Sequence, residues 1–431
     1  MTRFARWDHR TLVALGKISL LLTVPGIAPA CDNSGHLLGR AAGAAGAQMG
    51  DGSTGGAGGG TDARDGAGET GAVACSGQGP AITLPSAAGS VCASALTARE
   101  HRFALCACDS LNVTSPIYTD AFDSSGAVIG NQPPAAIGVN GDLQAGVVVQ
   151  AQGSVYVAGA GGLMSTDRLV SLGSVRVAGP TRSLPGNIVD VAQDVYAGGD
   201  LEGFIILGGT LHVSPGASTA AANIYAADIV REPVSVAAPC DCAQNVVDVA
   251  GAIASATRSN DDAAAGFAPD RLAAVTTSTL LDIPCGTYAL SSIDTRSALV
   301  LAVHGRALLA IGGDVVLRAG FAVTLDPGAE LDLLVGGRLL TSGSNTIGSM
   351  TPARFRIWVA GTQTVAFDDT PSVGAIVHAP AAQVTASSGL ELSGALFAKT
   401  LSAGARVNIH FDQAVFSVGA SCGEPAATAV P

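Results

Sequence analysis

The residues best placed to do chemistry in this 431-residue chain are its cysteines. Cys106-Ala107-Cys108 and Cys240-Asp241-Cys242 are two Cys-x-Cys pairs that together offer four thiolates. Structural zinc sites usually space their ligands two to four residues apart, and thiols in an exported protein oxidise, so the pattern points to disulfides rather than metal. Cys75, Cys92, Cys285 and Cys422 complete an even set of eight once Cys31 is set aside. Four bridges are expected, each contributing about 2–4 kcal/mol, and the spacing leaves all 105 pairings open.

The other reactive groups are scattered. Enzymes that cleave acidic sugars need clustered carboxylates facing each other across a cleft. Asp368-Asp369 precedes Pro371 in a turn, and Asp261-Asp262 lies at a helix end, where adjacent carboxylates are ordinarily solvated. Lys399 could serve as a base only with a strongly lowered pKa, and its simpler reading is an edge lysine that blunts strand aggregation. His212, His304, His378 and His410 fall on different strands. No nucleophile elbow, phosphate loop or zinc-helix motif appears at a credible place. Asn112-Val113-Thr114 matches a glycosylation sequon, a short pattern that by itself assigns no role. The sequence therefore assigns no catalytic residue, metal ligand or cofactor.

Such residues must be positioned by something, and the chain begins with an address. Arg3, Arg6, Arg10 and Lys17 precede an apolar stretch over Ile18–Ile27, then Ala28-Pro29-Ala30-Cys31. Small residues before a cysteine suit a bacterial lipobox, with Cys31 as the lipidated first residue of the mature chain. An ordinary signal cleaved after Ala30 is the alternative. The stretch is too short to be read as a spanning helix. Residues 31–74, rich in Gly and Ala, read as a flexible spacer with a reach of roughly 35–40 Å.

Without residues 1–30 the chain keeps 18 basic against 33 acidic residues, a formal charge of −15, and Lys399 is its only lysine. Phosphate neutralisation needs a basic stripe, so nucleic acid is not an expected partner.

The folded body repeats one phrase: glycine, a polar residue, then apolar residues at alternate positions. Gly153-Ser154-Val155-Tyr156-Val157, Gly173-Ser174-Val175-Arg176-Val177 and Gly209-Thr210-Leu211-His212-Val213 are three copies. Valine and leucine should point inward, and Tyr156, Arg176 and His212 outward. Apolar residues make up 48% of the chain and aromatics only 4%, which suits a narrow stack of aliphatic layers. Strands this short cannot bury their apolar faces alone and must stack on copies of themselves. The expected fold is all-β: a parallel β-helix, right-handed by the usual crossover bias, with a twisted β-sandwich as the alternative.

The organisation expected from this is a signal over 1–30, the spacer over 31–74, and a cysteine-rich cap over 75–135 closing one end of the stack. A first β-helical part over 136–242, a helical insertion over 243–274, a second β-helical domain over 275–422 and a tail over 423–431 follow. In the insertion, Val246, Val249, Ala250 and Ile253 recur at helical spacing.

Three motifs in the second part carry a family resemblance. Gly374-Ala375-Ile376-Val377-His378-Ala379-Pro380, Gly394-Ala395-Leu396-Phe397-Ala398-Lys399 and His410-Phe411-Asp412-Gln413-Ala414 resemble the GAIYAP, GAxxAK and HYDEA segments of an uncharacterised bacterial surface domain. The resemblance is strongest over about residues 299–416 and weaker back to about 240. It implies a β-helical fold on exported proteins and no catalytic residues. The expected function is that of a lipid-anchored, non-enzymatic β-solenoid at the cell envelope, held to the membrane by its N-terminal lipid and offering its surface to an envelope glycan or protein. A polysaccharide-acting enzyme and an end-to-end assembling scaffold are the alternatives.

Overall fold

The computed structural model describes residues 78–86, 89–126, 135–242, 247–343, 346–369 and 372–418. The chain divides into two units, residues 1–65 and 66–431, and every described residue lies in the second. The signal, the whole spacer and the tail, together with Cys31, Cys75, Val246 and Cys422, lie outside the described residues.

The body is a parallel β-solenoid. Its short strands pair only with strands one turn away, so each inward side chain stacks on its equivalent in the next turn. One column can be followed without a break: Tyr288, Leu309, Leu333, Ile357, Val377, Leu396, Leu105, Ile137, Val155, Val175, Val195, Leu211 and Ile229. All of these are buried except Ile229, the last. Between them the outward residues Tyr156, Arg176 and His212 are only partly covered, as the alternation requires.

The order of that column differs from the order of the sequence. Residues 279–412 wind first and residues 105–231 continue the same stack, with a seam where Leu396 lies on Leu105 and Ile409 on Thr119. Residues 105–122, expected within an end cap, are instead a complete turn in the middle of the stack. Strand pairing explains the difference: Leu105–Ala107 has a neighbour on each side, Leu396–Ala398 and Ile137–Val139. A single β-turn edge left open would expose unpaired N–H and C=O groups, and the C-terminal winding covers it.

Because both windings advance in the same direction, the chain must return along the outside from Arg231 to the start of the C-terminal winding. Two disulfides pin this return segment at the seam: Cys106–Cys240, with Cα atoms 5.8 Å apart, and Cys108–Cys242, with Cα atoms 5.6 Å apart. Asn140 adds a reciprocal pair of hydrogen bonds, its Nδ2 donating to the Cys240 carbonyl at 2.8 Å and its Oδ1 accepting from the Cys240 N–H at 2.9 Å. Gly138 makes room for the passage, since a Cβ there would lie 3.1 Å from the Pro239 side chain. Cys92 and Cys285 are also disulfide-bonded.

Helices lie on the flank and at one end. α1 (Ala93–Glu100) and α2 (Val249–Arg258) are capped differently: the Asp248 side chain accepts from the Gly251 N–H at the start of α2, whereas Cys92 gives α1 no such bond. Val249, Ala252, Ile253 and Ala256 of α2 pack on the outward residues Ala289, Ala310, Leu334 and Trp358. α3 (Asp262–Ala265) and the segment after it close the first turn, with Phe267 against Tyr288 at 5.0 Å and Leu272 fully buried. At the opposite end no described strand pairs with the outer edge of Ala221–Tyr225 or Asp228–Arg231, and Ile229 is 51% exposed.

The seam can be tested by truncating its central side chain. Leu396→Ala should destabilise the body by about 2–5 kcal/mol in urea unfolding, whereas the exposed Gln150→Ala should change stability by no more than about 0.5 kcal/mol.

Candidate functional site

Three polar assemblies stand out on this scaffold, and the first is the seam itself. His410 lies between two turns, its Nδ1 2.6 Å from Asp120 and its Nε2 2.5 Å from Glu391. Burial lowers the imidazole pKa, and the hydrogen bonds to Glu391 and Asp120 outweigh it, so the net shift is upward. Two residues on, Asp412 is fully buried and accepts from the Ser124 N–H and hydroxyl, the Ala353 N–H and the Ala414 N–H. One carboxylate thus joins residues from both windings. The Gln413 N–H donates to the Phe122 carbonyl at 2.8 Å. The His410–Ala414 motif is therefore the clasp of the seam. Its residues are committed to the fold, and what they do chemically is hold two turns in register.

The second assembly lies beneath α1 and α2. Arg356, 1% exposed, donates to Asp332 through Nε and Nη2 and to Glu330 through Nη2, each at 2.7 Å. Trp358 Nε1 donates to the same Asp332 carboxylate at 2.7 Å. Desolvation works against the guanidinium charge, but Asp332 and Glu330 overcome it and raise the Arg356 pKa. Beside this network, His378 stacks on Phe397 at 4.8 Å and tilts against Trp358 at 4.9 Å, with His101 edge-on at 5.4 Å. Burial alone brings the His378 pKa down to about 3, and burial leads the causes that lower His101 well below the usual histidine value. Burial thus favours the neutral form of both imidazoles. A cleft of about 470 Å³ adjoins His378, with Asp241, Asp248 and Pro380 on its walls. His378 Nδ1 and Arg356 Nη1 have no hydrogen-bond partner among the described residues.

The third assembly lies half-buried on the outer face. Tyr156, Arg176, Tyr196 and His212 form an outward ladder on successive turns. Arg176 sits 3.9 Å over the Tyr196 ring, and Tyr196 stacks on His212 at 4.3 Å. Past its end, His212 Nδ1 meets Glu232 at 2.7 Å. Rings stacked this way present their edges outward and bind one another.

The remaining sequence candidates are dispersed. Asp368 accepts from the Ser387 hydroxyl at 2.6 Å, and Asp369, with φ 60°, accepts from the Gly343 N–H. Asp261 and Asp262 accept from the Thr287 and Ala289 N–H groups, stitching α3 to the first turn. Asp262 is buried by this tie, whereas Asp368 and Asp369 stay at the surface, as expected of turn residues. Lys399 pairs with Asp109 at 3.7 Å on the surface. His304 bridges Asp326 at 2.9 Å and Asp282 at 3.2 Å, again across turns, and those hydrogen bonds raise its pKa. Cys106, Cys108, Cys240 and Cys242 are oxidised, which removes them as metal ligands, and no cluster of His, Cys, Asp and Glu among the described residues is placed to hold a metal ion.

Sequence reading missed the buried Arg356–Asp332–Glu330 network. A signal existed. Leu331–Val335 and Phe355–Val359 contain adjacent apolar residues instead of strict alternation, which marks strands covered on both faces.

Residues 241–417 match the family described as a domain of unknown function, DUF7305. The matched stretch runs from the disulfide at Cys242 through the C-terminal winding to α4 (Val415–Val418), so the motifs that form the clasp and the His378 turn fall within it. No curated protein and no solved structure matches the chain.

Two substitutions test these assignments. Asp332→Ala should cost about 3–5 kcal/mol, because it removes two of the three charge-assisted bonds of the buried Arg356, leaving it only Glu330, and takes the acceptor from the Trp358 N–H. His410 should act through pH. Its raised folded pKa gives stability that is complete below the ordinary histidine value of 6.5 and is lost as pH rises through the folded value. The gap in urea midpoint between the native chain and His410→Gln should therefore be larger near about pH 6 and close by about pH 9.

Proposed function

We propose that this chain, which carries the DUF7305 domain in its C-terminal half, is an exported and lipid-anchored rod that displays a binding surface at the bacterial cell envelope without catalysing a reaction. The observation that carries the reading is the pair of disulfides at the seam, combined with where the chain enters the body. Cys106–Cys240 and Cys108–Cys242 need an oxidising compartment, which in a bacterium lies outside the cytoplasm. The described chain begins at Gln78, whose side chain donates to the Pro327 carbonyl at 2.9 Å and whose carbonyl accepts from the Arg306 N–H at 2.8 Å. That point lies two to three turns from the closed end of the stack.

A spacer leading from a lipid on Cys31 to Gln78 would hold the rod near its closed end. The open end lies ten turns further, about 48 Å at ~4.8 Å per turn. The carboxylates and histidines singled out above serve the fold, which supports display over catalysis. End-to-end assembly would need two complementary ends, and Phe267 and Leu272 cover one of them.

Anchoring is tested by growing cells with labelled palmitate and fractionating the envelope. The native chain should carry label and pellet with membranes, while Cys31→Ser should lose both properties. A Cys31→Ser chain that still pellets with membranes would refute the lipid anchor.

A further inference from the structure

We infer that a step in the wall of the solenoid near its open end is a binding groove for an uncharged oligosaccharide. The inference rests on the display reading for where the ligand is met, and it names the site and the ligand class.

The step comes from a change in turn length. In one turn the corner between two faces runs from Arg182 to Val189 and includes the protruding Leu184-Pro185-Gly186-Asn187 loop. In the next turn the equivalent residues are Glu202 and Ile205, and in the following turn Ala221 and Ile224. The corner has lost four residues, so the loop overhangs a floor with nothing of its own to fill the space. Gly203, with φ +88°, lets this short corner lie flat, because a Cβ there would strike the Ser183 carbonyl oxygen.

The resulting cavity measures about 730 Å³, within the usual ~300–1,000 Å³ of ligand sites. Leu184 and Pro185 form one wall, with Phe204, Glu202, Ala221 and Asn223 on the floor. The Phe204 ring is partly exposed and contacts Tyr225 at 5.3 Å, and Tyr225 is itself 59% exposed. The Asn223 amide is exposed and has no partner among the described residues.

A sugar ring has an apolar C–H face and a rim of hydroxyls. Phe204 and Leu184 match the face, while the Asn223 amide and the Glu202 carboxylate match the rim as donor and acceptor. Charge selects among sugars. Glu202 is paired with Arg182 at 3.3 Å, so the groove has no surplus cation for a carboxylate or sulfate, and the formal charge of −15 on the chain without residues 1–30 repels polyanions. An uncharged glycan is the class that fits.

The test uses the full chain and isothermal titration with three probes: a β-1,4-linked glucose hexamer, a β-1,4-linked N-acetylglucosamine hexamer and hexagalacturonate. At least one neutral hexamer should bind, with hexagalacturonate at least about tenfold weaker. Phe204→Ala should weaken neutral binding by more than about tenfold, and Ala221→Trp, which fills the floor from an exposed position, should abolish it with an unchanged thermal midpoint. Lys399→Ala, far from the groove, should bind as the native chain does. Failure of both neutral hexamers to bind would overturn the proposal, as would equal binding of the anionic probe or undiminished binding by Ala221→Trp. Self-association of the chain that Ala221→Trp blocks, without glycan binding, would assign the groove to a second copy and equally overturn it. Binding by the Cys31→Ser chain keeps this outcome separate from anchoring, because the groove can stand where the lipid does not.

Discussion

Backbone pairing between Leu396–Ala398 and Leu105–Ala107 is the interaction on which the rest of this molecule depends. It joins segments almost three hundred residues apart and turns two windings into one stack. Closing so long a loop is entropically costly only in proportion to the logarithm of its length, but the contacts that repay it must all form together. The seam accordingly concentrates interactions: the inward column passes through it, His410 and Asp412 bridge it, and two disulfides hold the returning chain beside it. A disulfide closing a loop of this size typically contributes about 2–5 kcal/mol, and the two close nearly the same loop, so their effects do not simply add.

The windings differ in what covers them. On the C-terminal winding the outward positions Ala310, Leu334 and Trp358 are apolar and lie under α2, with the Arg356 network sealed among them. Losing one member would leave the buried charges there under-compensated, which is why the three depend on one another. On the other winding the same column carries Tyr156, Arg176, Tyr196 and His212 and stays in contact with solvent. A solenoid with one covered flank and one open flank has a built-in polarity, and the tapering turns after Val191 extend it by leaving a step near the uncovered end.

Much of the fold was legible in the sequence for a local reason. Val155-Tyr156-Val157 and Leu211-His212-Val213 alternate with period two, and that pattern has few solutions when the strands are three or four residues long. The apolar spacing of Val249 and Ile253 likewise announced a helix. The clasp was visible as a motif, yet its meaning was not. Nothing in His410-Phe411-Asp412-Gln413-Ala414 says that Asp412 will meet Ser124, because that contact exists only after both windings have formed.

The sequence by itself therefore determined the repeating layer and the inward and outward sets, since each follows from side-chain type and short-range spacing. Only the tertiary structure decided the spatial order of the windings, the pairing of Cys106 with Cys240 and Cys108 with Cys242, and the burial of Arg356. Those outcomes depend on which strand edges meet across long separations, and parallel strands of similar composition do not encode their neighbours locally.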